Sequence, residues 1–99
     1  MNSHSKPADR VVDIANRLIA DIQNELQIEF SHRKTKVSEE QLCSMLLLIQ
    51  QRRESILTQQ LPVKELRFSY LTREVTDSWP LGDDLANRVA EFEAYYNQL

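Results

Sequence analysis

Glycine is nearly missing from this sequence, and that shortage limits the folds that the chain can adopt. Gly82 is the single glycine among 99 residues, and three prolines join it as residues that interrupt regular structure. Because tight β-turns depend on glycine, the chain is expected to form long helices with few connections. The best-marked connection runs from Trp79 to Asp84 and combines the single Trp and Gly with a proline and two acids that can cap a helix.

Apolar residues recur at three- and four-residue steps in four segments of the chain. Because the connections between these segments are short, neighbouring helices are expected to run antiparallel, as a four-helix or three-plus-one bundle. Residues 7–99 would then form a single helical domain that follows a disordered tail over residues 1–6. The spacing predicts an all-α fold with helices over about 7–30, 38–60, 62–78 and 83–98.

Residues at the predicted helix starts support these boundaries. Pro7 suits a first turn, because it brings a helical φ and its missing N–H is not needed there. Ser38 and Gln41 have the spacing of a capping box. Asp83 or Asp84 can cap the last helix. That helix has the most regular apolar stripe in the chain, formed by Leu85, Val89, Phe92, Tyr96 and Leu99.

The second predicted helix is apolar in every direction over residues 45–49. A helix of this kind is expected to be covered on more than one side, within the monomer or at a subunit interface. Cys43 lies beside this run and is expected to be a small buried thiol. The apolar width of the first two helices therefore favours self-association into a homodimer.

Composition points to a folded protein in a reducing compartment. Apolar residues make up 41% of the chain and the formal net charge is −3, so a nucleic acid is not the expected partner. One cysteine cannot form an intrachain disulfide. The polar start lacks the apolar core of a signal peptide, and the longest apolar run is too short to span a membrane. The sequence predicts a soluble, cytoplasmic protein.

Catalytic patterns are not found in the sequence. The two histidines, His4 and His32, fall in the tail and in a predicted loop, where neither is held for acid–base catalysis. One glycine cannot build a phosphate-binding loop. The paired acids Glu39-Glu40 and Asp83-Asp84 both begin helices, where capping explains them. We therefore expect no enzymatic activity and no cofactor.

Basic residues raise the alternative of a DNA-associated regulator. They form one cluster in the loop after the first helix and a second cluster within the second helix, and clustered cations bind phosphates. The second cluster could instead pair with the acidic fourth helix. The residues concerned are Arg33, Lys34, Lys36, Arg52 and Arg53.

A metal site is a second alternative. Glu29 and His32 stand three residues apart, which is the spacing of the ligand pair in carboxylate-bridged metal bundles. Such a site needs two pairs, so a homodimer would have to supply the second one.

Aromatic residues and arginines favour a protein-binding function over both alternatives, because Trp, Tyr and Arg dominate interface hot spots. Tyr95 and Tyr96 are adjacent, so one of them should be exposed or shared with a partner. Trp79 either contacts a partner or closes the end of the bundle. We predict a protein–protein interaction module of the adaptor, inhibitor or immunity, or chaperone-like kind, and its acidic last helix would suit a basic partner. The candidate partner-binding residues are Trp79, Tyr95, Arg52 and Arg53.

Overall fold

A computed structural model describes residues 6–67 and 69–99 of the chain. These residues form four α-helices and two short 3₁₀ turns, with no strand in the described ranges. The predicted all-α class and four-helix bundle are confirmed. Of the predicted tail, residues 1–5 lie outside the described residues. The helices are α1 (Pro7–Leu26), α2 (Glu39–Leu57), α3 (Tyr70–Ser78) and α4 (Asp84–Asn97).

The helix α1 packs against both α2 and α4, and α4 also packs against α3. Glu25 near the end of α1 binds the backbone of Thr35, four residues before α2 begins. Asn16 in the middle of α1 bonds to Arg53 near the end of α2, so these two helices run antiparallel. Asp21 near the end of α1 pairs with Arg88 in the first half of α4. Glu93 near the end of α4 binds the first turn of α3, which makes that pair antiparallel as well.

One apolar core lies between the helices and consists largely of the predicted stripes. Leu18 and Ile22 of α1 are fully buried, as are Val89 and Phe92 of α4. Burying large apolar side chains in this way supplies the main driving force for folding. The stripes on α1 and α4 therefore identified the core-facing sides of these helices correctly.

The first helix ends at Leu26, earlier than the predicted end near residue 30. Phe30 is 52% exposed rather than part of the stripe. Arg33 folds back and donates hydrogen bonds to the carbonyl oxygens of Ile28, at 2.7 Å, and Leu26, at 3.4 Å. A cation at the last carbonyls of a helix compensates its negative end, so Arg33 stabilises this end of α1.

The predicted capping box opens α2. The Gln41 N–H donates to Ser38 Oγ at 3.1 Å, and the Ser38 N–H donates to Gln41 Oε1 at 3.2 Å. The outward side of α2 is more exposed than expected, because Leu47 is 60% exposed and Cys43 is exposed. The prediction of a buried thiol is therefore wrong, and a single copy of the chain does not cover the apolar run on all sides.

The second helix ends at Leu57, before the predicted end at residue 60. Gln59 adopts a left-handed φ of 57°, which stops the helix. The Gln60 N–H then donates to the carbonyl of Ser55 at 2.9 Å, and the Gln59 N–H donates to that of Ile56 at 3.1 Å. This is a Schellman motif in which glutamine takes the position that glycine usually occupies.

The third helix is much shorter than the predicted helix over 62–78. Val63, Leu66 and Tyr70 recur at helical spacing, yet each is 59–61% exposed. Because most helical stability in proteins comes from packing an apolar face, exposed side chains at this spacing do not induce a helix. A 3₁₀ turn at Lys64–Leu66 precedes α3 instead.

The predicted corner between α3 and α4 is confirmed. Gly82 has a φ of 77°, a left-handed conformation that glycine adopts readily. Asp83 rather than Asp84 caps α4, since its Oδ1 accepts from the N–H groups of Leu85, at 2.9 Å, and Ala86, at 3.3 Å.

Candidate interaction surfaces

A buried carboxylate on α4 caps the start of α3. Glu93 is 1% exposed, and its two oxygens accept hydrogen bonds from the N–H groups of Leu71 and Thr72, both at 2.8 Å. Backbone N–H groups in a first helical turn have no partner within the helix. The preceding residue, Ser69, provides no side-chain cap, so a neighbouring helix supplies one.

Arg52 on α2 balances the charge of this carboxylate. Its Nη1 lies 3.0 Å from Glu93 Oε2, and its guanidinium lies 4.9 Å from the centre of the Tyr96 ring. A buried carboxylate is costly unless it is paired and hydrogen-bonded, and here it is both. The predicted pairing of the Arg52-Arg53 cluster with the acidic fourth helix is therefore confirmed for Arg52.

A depression of about 280 Å³ opens beside the Arg52 and Tyr96 side chains. Arg67 fixes its wall by donating from Nε to the Pro62 carbonyl at 2.7 Å and from Nη1 to the Asn97 carbonyl at 3.5 Å. None of the described residues that line it is acidic. We name Pro62, Leu66, Arg67 and Tyr70 the α2–α3 surface, and Arg52 and Tyr96 complete the lining of its depression.

The outer face of α3 continues from this surface. Tyr70, Arg73, Thr76 and Asp77 line one shallow hollow together with their neighbours on the helix. Arg73 and Asp77 are exposed, and neither forms an ion pair with any residue in the described ranges. We call these four residues the α3 face. It shares Tyr70 with the α2–α3 surface, so the two form one continuous region.

Tyr95 lies in a separate groove between the start of α1 and the end of α4. The groove holds about 580 Å³, and Pro7, Ile14 and Leu99 are among its lining residues. Tyr95 is 46% exposed whereas Tyr96 is 3% exposed. The prediction that the adjacent tyrosines face different environments is confirmed.

The structure does not bring the four predicted partner-binding residues together. Trp79 is 5% exposed and closes the core under the α3–α4 corner, so its indole ring is not available to a partner. Arg53 donates from Nε to Asn16 Oδ1 and thereby joins α2 to α1. Arg52 lines the depression beside the α2–α3 surface, while Tyr95 lies in the groove by α1.

Internal contacts involve four of the five cations proposed for DNA binding. Arg33 is 8% exposed and binds the carbonyls at the end of α1. Arg52 pairs with Glu93, and Arg53 bonds to Asn16. Lys36 is exposed but donates from Nζ to the Phe30 carbonyl at 3.3 Å, and Lys34 is exposed. Phosphate binding needs clustered free cations, so this arrangement gives little support to the DNA-binding alternative.

The proposed metal pair lies at a short 3₁₀ turn after α1. Glu29 precedes the Phe30–His32 turn and His32 ends it. The described ranges contain no group of three or more His, Cys, Asp or Glu side chains arranged to hold a metal ion. The geometry therefore adds no further ligand to this pair.

A further cleft, of about 500 Å³, lies between the loop after α1 and the start of α4. Glu25 at its edge is 8% exposed, and its Oε1 accepts from the N–H groups of Lys34, at 3.1 Å, and Thr35, at 3.2 Å. Thr35 Oγ1 donates to Asp83 Oδ2 at 2.6 Å. These bonds fasten the loop to both helices and give the polar groups a structural role.

Sequence reasoning missed the buried role of Glu93 and the exposure of Leu66 and Tyr70. A usable signal existed for Glu93, because it stands four residues after Val89 and three before Tyr96, within the apolar stripe of α4. A carboxylate at such a position indicates a buried, partnered charge. No comparable sequence pattern indicates that Arg67 bonds to the carbonyls of Pro62 and Asn97.

Comparisons with known proteins provide no relative from which a function could be carried over. No family model matches this sequence, and neither a curated protein nor a solved structure is similar to it. Among the described helices, none combines the length and the apolar character that crossing a bilayer requires. The function is therefore inferred from the surfaces themselves.

Proposed function

We propose that this chain is a small helical protein-interaction module that binds a partner protein through the α2–α3 surface and has no catalytic activity of its own. The observation that carries the proposal is the exposure of Leu66, at 61%, and Tyr70, at 59%, on either side of Arg67. Exposed apolar and aromatic side chains grouped with arginine are typical of protein interfaces.

The hydrogen bonds at Arg67 and after Tyr70 support the proposal. Tyr70 is the first residue of α3, and the N–H groups that follow it are held by Glu93. Arg67 is anchored to the carbonyl of Pro62. A surface that is fixed before binding loses less conformational entropy when a partner docks, and that favours affinity.

The Tyr95 groove provides a second candidate surface for the same function, because it combines an exposed tyrosine with the apolar side chains of Val11 and Ile14. A role as adaptor, inhibitor or chaperone-like protein agrees with either surface. The single cysteine suits a reducing compartment, so we include a cytoplasmic location in the proposal.

Site-specific photo-crosslinking in the cells that produce the protein tests this function. Leu66 is replaced by a photo-reactive amino acid, and the same replacement at Gln23, exposed on α1, serves as the control. The Leu66 position is expected to give discrete crosslinked proteins that the Gln23 position does not give. Identical product patterns at both positions would contradict the proposal. A third replacement at Tyr95 tests the other groove, and discrete products from that position alone would contradict the assignment to the α2–α3 surface.

A further inference from the structure

The order of side chains along the α3 face is complementary to itself. Tyr70, Arg73 and Asp77 are spaced by three and four residues, which places them on one side of the helix. Leu81 follows three residues beyond the helix end and is 98% exposed. The sequence along this face is therefore aromatic, positive, negative and finally aliphatic.

Two such faces match when the helices run antiparallel. A two-fold axis at the level of Val75 places Arg73 of one copy opposite Asp77 of the other, and places the reverse pair at the same time. Tyr70 then lies opposite the end of the other α3, near which Leu81 is exposed. Contacts that repeat in this way define an isologous interface, which is the commonest arrangement in homodimers.

The charges on this face are available for such pairing. Arg73 and Asp77 are four residues apart on α3, yet they form no ion pair with each other or with another residue of the described part of the chain. A basic residue placed before an acidic one is also the less favourable order for a pair within one helix. Opposite charges on a second copy would compensate both groups.

We propose that a second copy of this chain occupies the α3 face and forms a two-fold symmetric homodimer through two Arg73–Asp77 ion pairs. The Tyr70 side chain of each copy covers the exposed Leu81 region of the other. This inference rests on the proposed function, because the dimer contact uses Tyr70, which is also part of the α2–α3 surface proposed to bind proteins. Since one short helix provides the centre of the contact, the dimer is weak and depends on concentration.

Sedimentation velocity of the purified chain, from micromolar to millimolar concentration, tests the proposal. The native chain is expected to shift from monomer to dimer over this range. Arg73→Glu places like charges opposite each other and should raise the dissociation constant about tenfold or more. The double variant Arg73→Glu/Asp77→Arg restores opposite charges and should restore the dimer. Arg17→Glu, at an exposed position on α1, is the control and should leave the dissociation constant unchanged.

Two outcomes would overturn the inference. One is a monomer at every concentration. The other is a dimer that Arg73→Glu does not weaken, because that interface would lie elsewhere. If the chain is monomeric while Leu66 crosslinks to a different protein, the inference fails and the proposed function stands. If the chain is monomeric and Leu66 gives no specific product, both fail.

Discussion

Arg52 of α2 and Glu93 of α4 form an ion pair of 3.0 Å whose carboxylate is 1% exposed. The same carboxylate accepts hydrogen bonds from Leu71 and Thr72 at the start of α3. One side chain therefore connects three helices. A buried charge contributes favourably only while its partners are present, so this network is sensitive to conservative changes.

Replacing Glu93 with glutamine should lower the free energy of unfolding by about 2–4 kcal/mol. The amide retains one acceptor oxygen but turns an NH₂ group toward donors, and it leaves Arg52 unpaired. Urea unfolding followed by circular dichroism measures the loss. Glu91→Gln, two residues earlier and exposed, should cost less than about 0.5 kcal/mol. Equal losses from the two variants would contradict the network.

Replacing Asp83 with alanine should destabilise the chain by about 1–2 kcal/mol, because the change removes the N-cap of α4. It also removes the acceptor of the Thr35 hydroxyl. Asp84→Ala alters only a first-turn charge and should cost about 0.5 kcal/mol. Thermal unfolding of the two variants compares them directly. A larger loss of stability for Asp84→Ala than for Asp83→Ala would contradict the assignment of Asp83 as the N-cap.

Phe92→Ala should cost roughly 3–5 kcal/mol, because the ring is fully buried and its removal leaves a cavity. Tyr95→Ala removes an aromatic ring that is 46% exposed on the same helix and should cost markedly less. Chemical unfolding of both variants measures the difference. A loss below about 0.5 kcal/mol for Phe92→Ala would be inconsistent with a core position.

Gly82→Ala should cost about 1 kcal/mol, because an L-residue is strained at a φ of 77°. A Cβ at this position would meet no atom of the described residues within 4 Å, so conformational strain alone sets the cost. Gly82→Asn should be less harmful, since asparagine tolerates the left-handed region better. Unchanged thermal stability in the alanine variant would show that the corner can adopt another backbone conformation.

Long apolar stripes made most of the fold predictable. On α1 and α4, the apolar pattern recurs over several turns, and members such as Leu18 and Phe92 are fully buried. The helix ends were harder to predict, because hydrogen bonds and backbone conformations that the apolar stripes do not indicate determine them. Arg33 reaches back to close α1, and Gln59 stops α2 without a glycine.

The candidate surface was not predictable from the sequence. Leu66 and Tyr70 have helical spacing, and spacing alone does not show whether a side chain is buried or exposed. Leu66 lies before α3, and Tyr70 begins α3 with its side chain 59% exposed, next to the first-turn N–H groups that Glu93 binds from another helix. Of the four residues predicted to bind a partner, Tyr95 is exposed in a groove of its own, whereas Trp79 belongs to the core.

The capping of α3 by Glu93 has a consequence for the order of folding. An isolated helix of 9 residues is marginal in water. The carboxylate that completes its first turn lies 22 positions later than Leu71 in the sequence. We therefore expect stable α3 structure to form only after α4 has docked, and its amide protons to gain protection from hydrogen exchange only together with those of α4. While the α4 residues of a nascent chain are still inside the ribosome, we expect Tyr70 not to be held in a helix and not to be positioned for binding a partner.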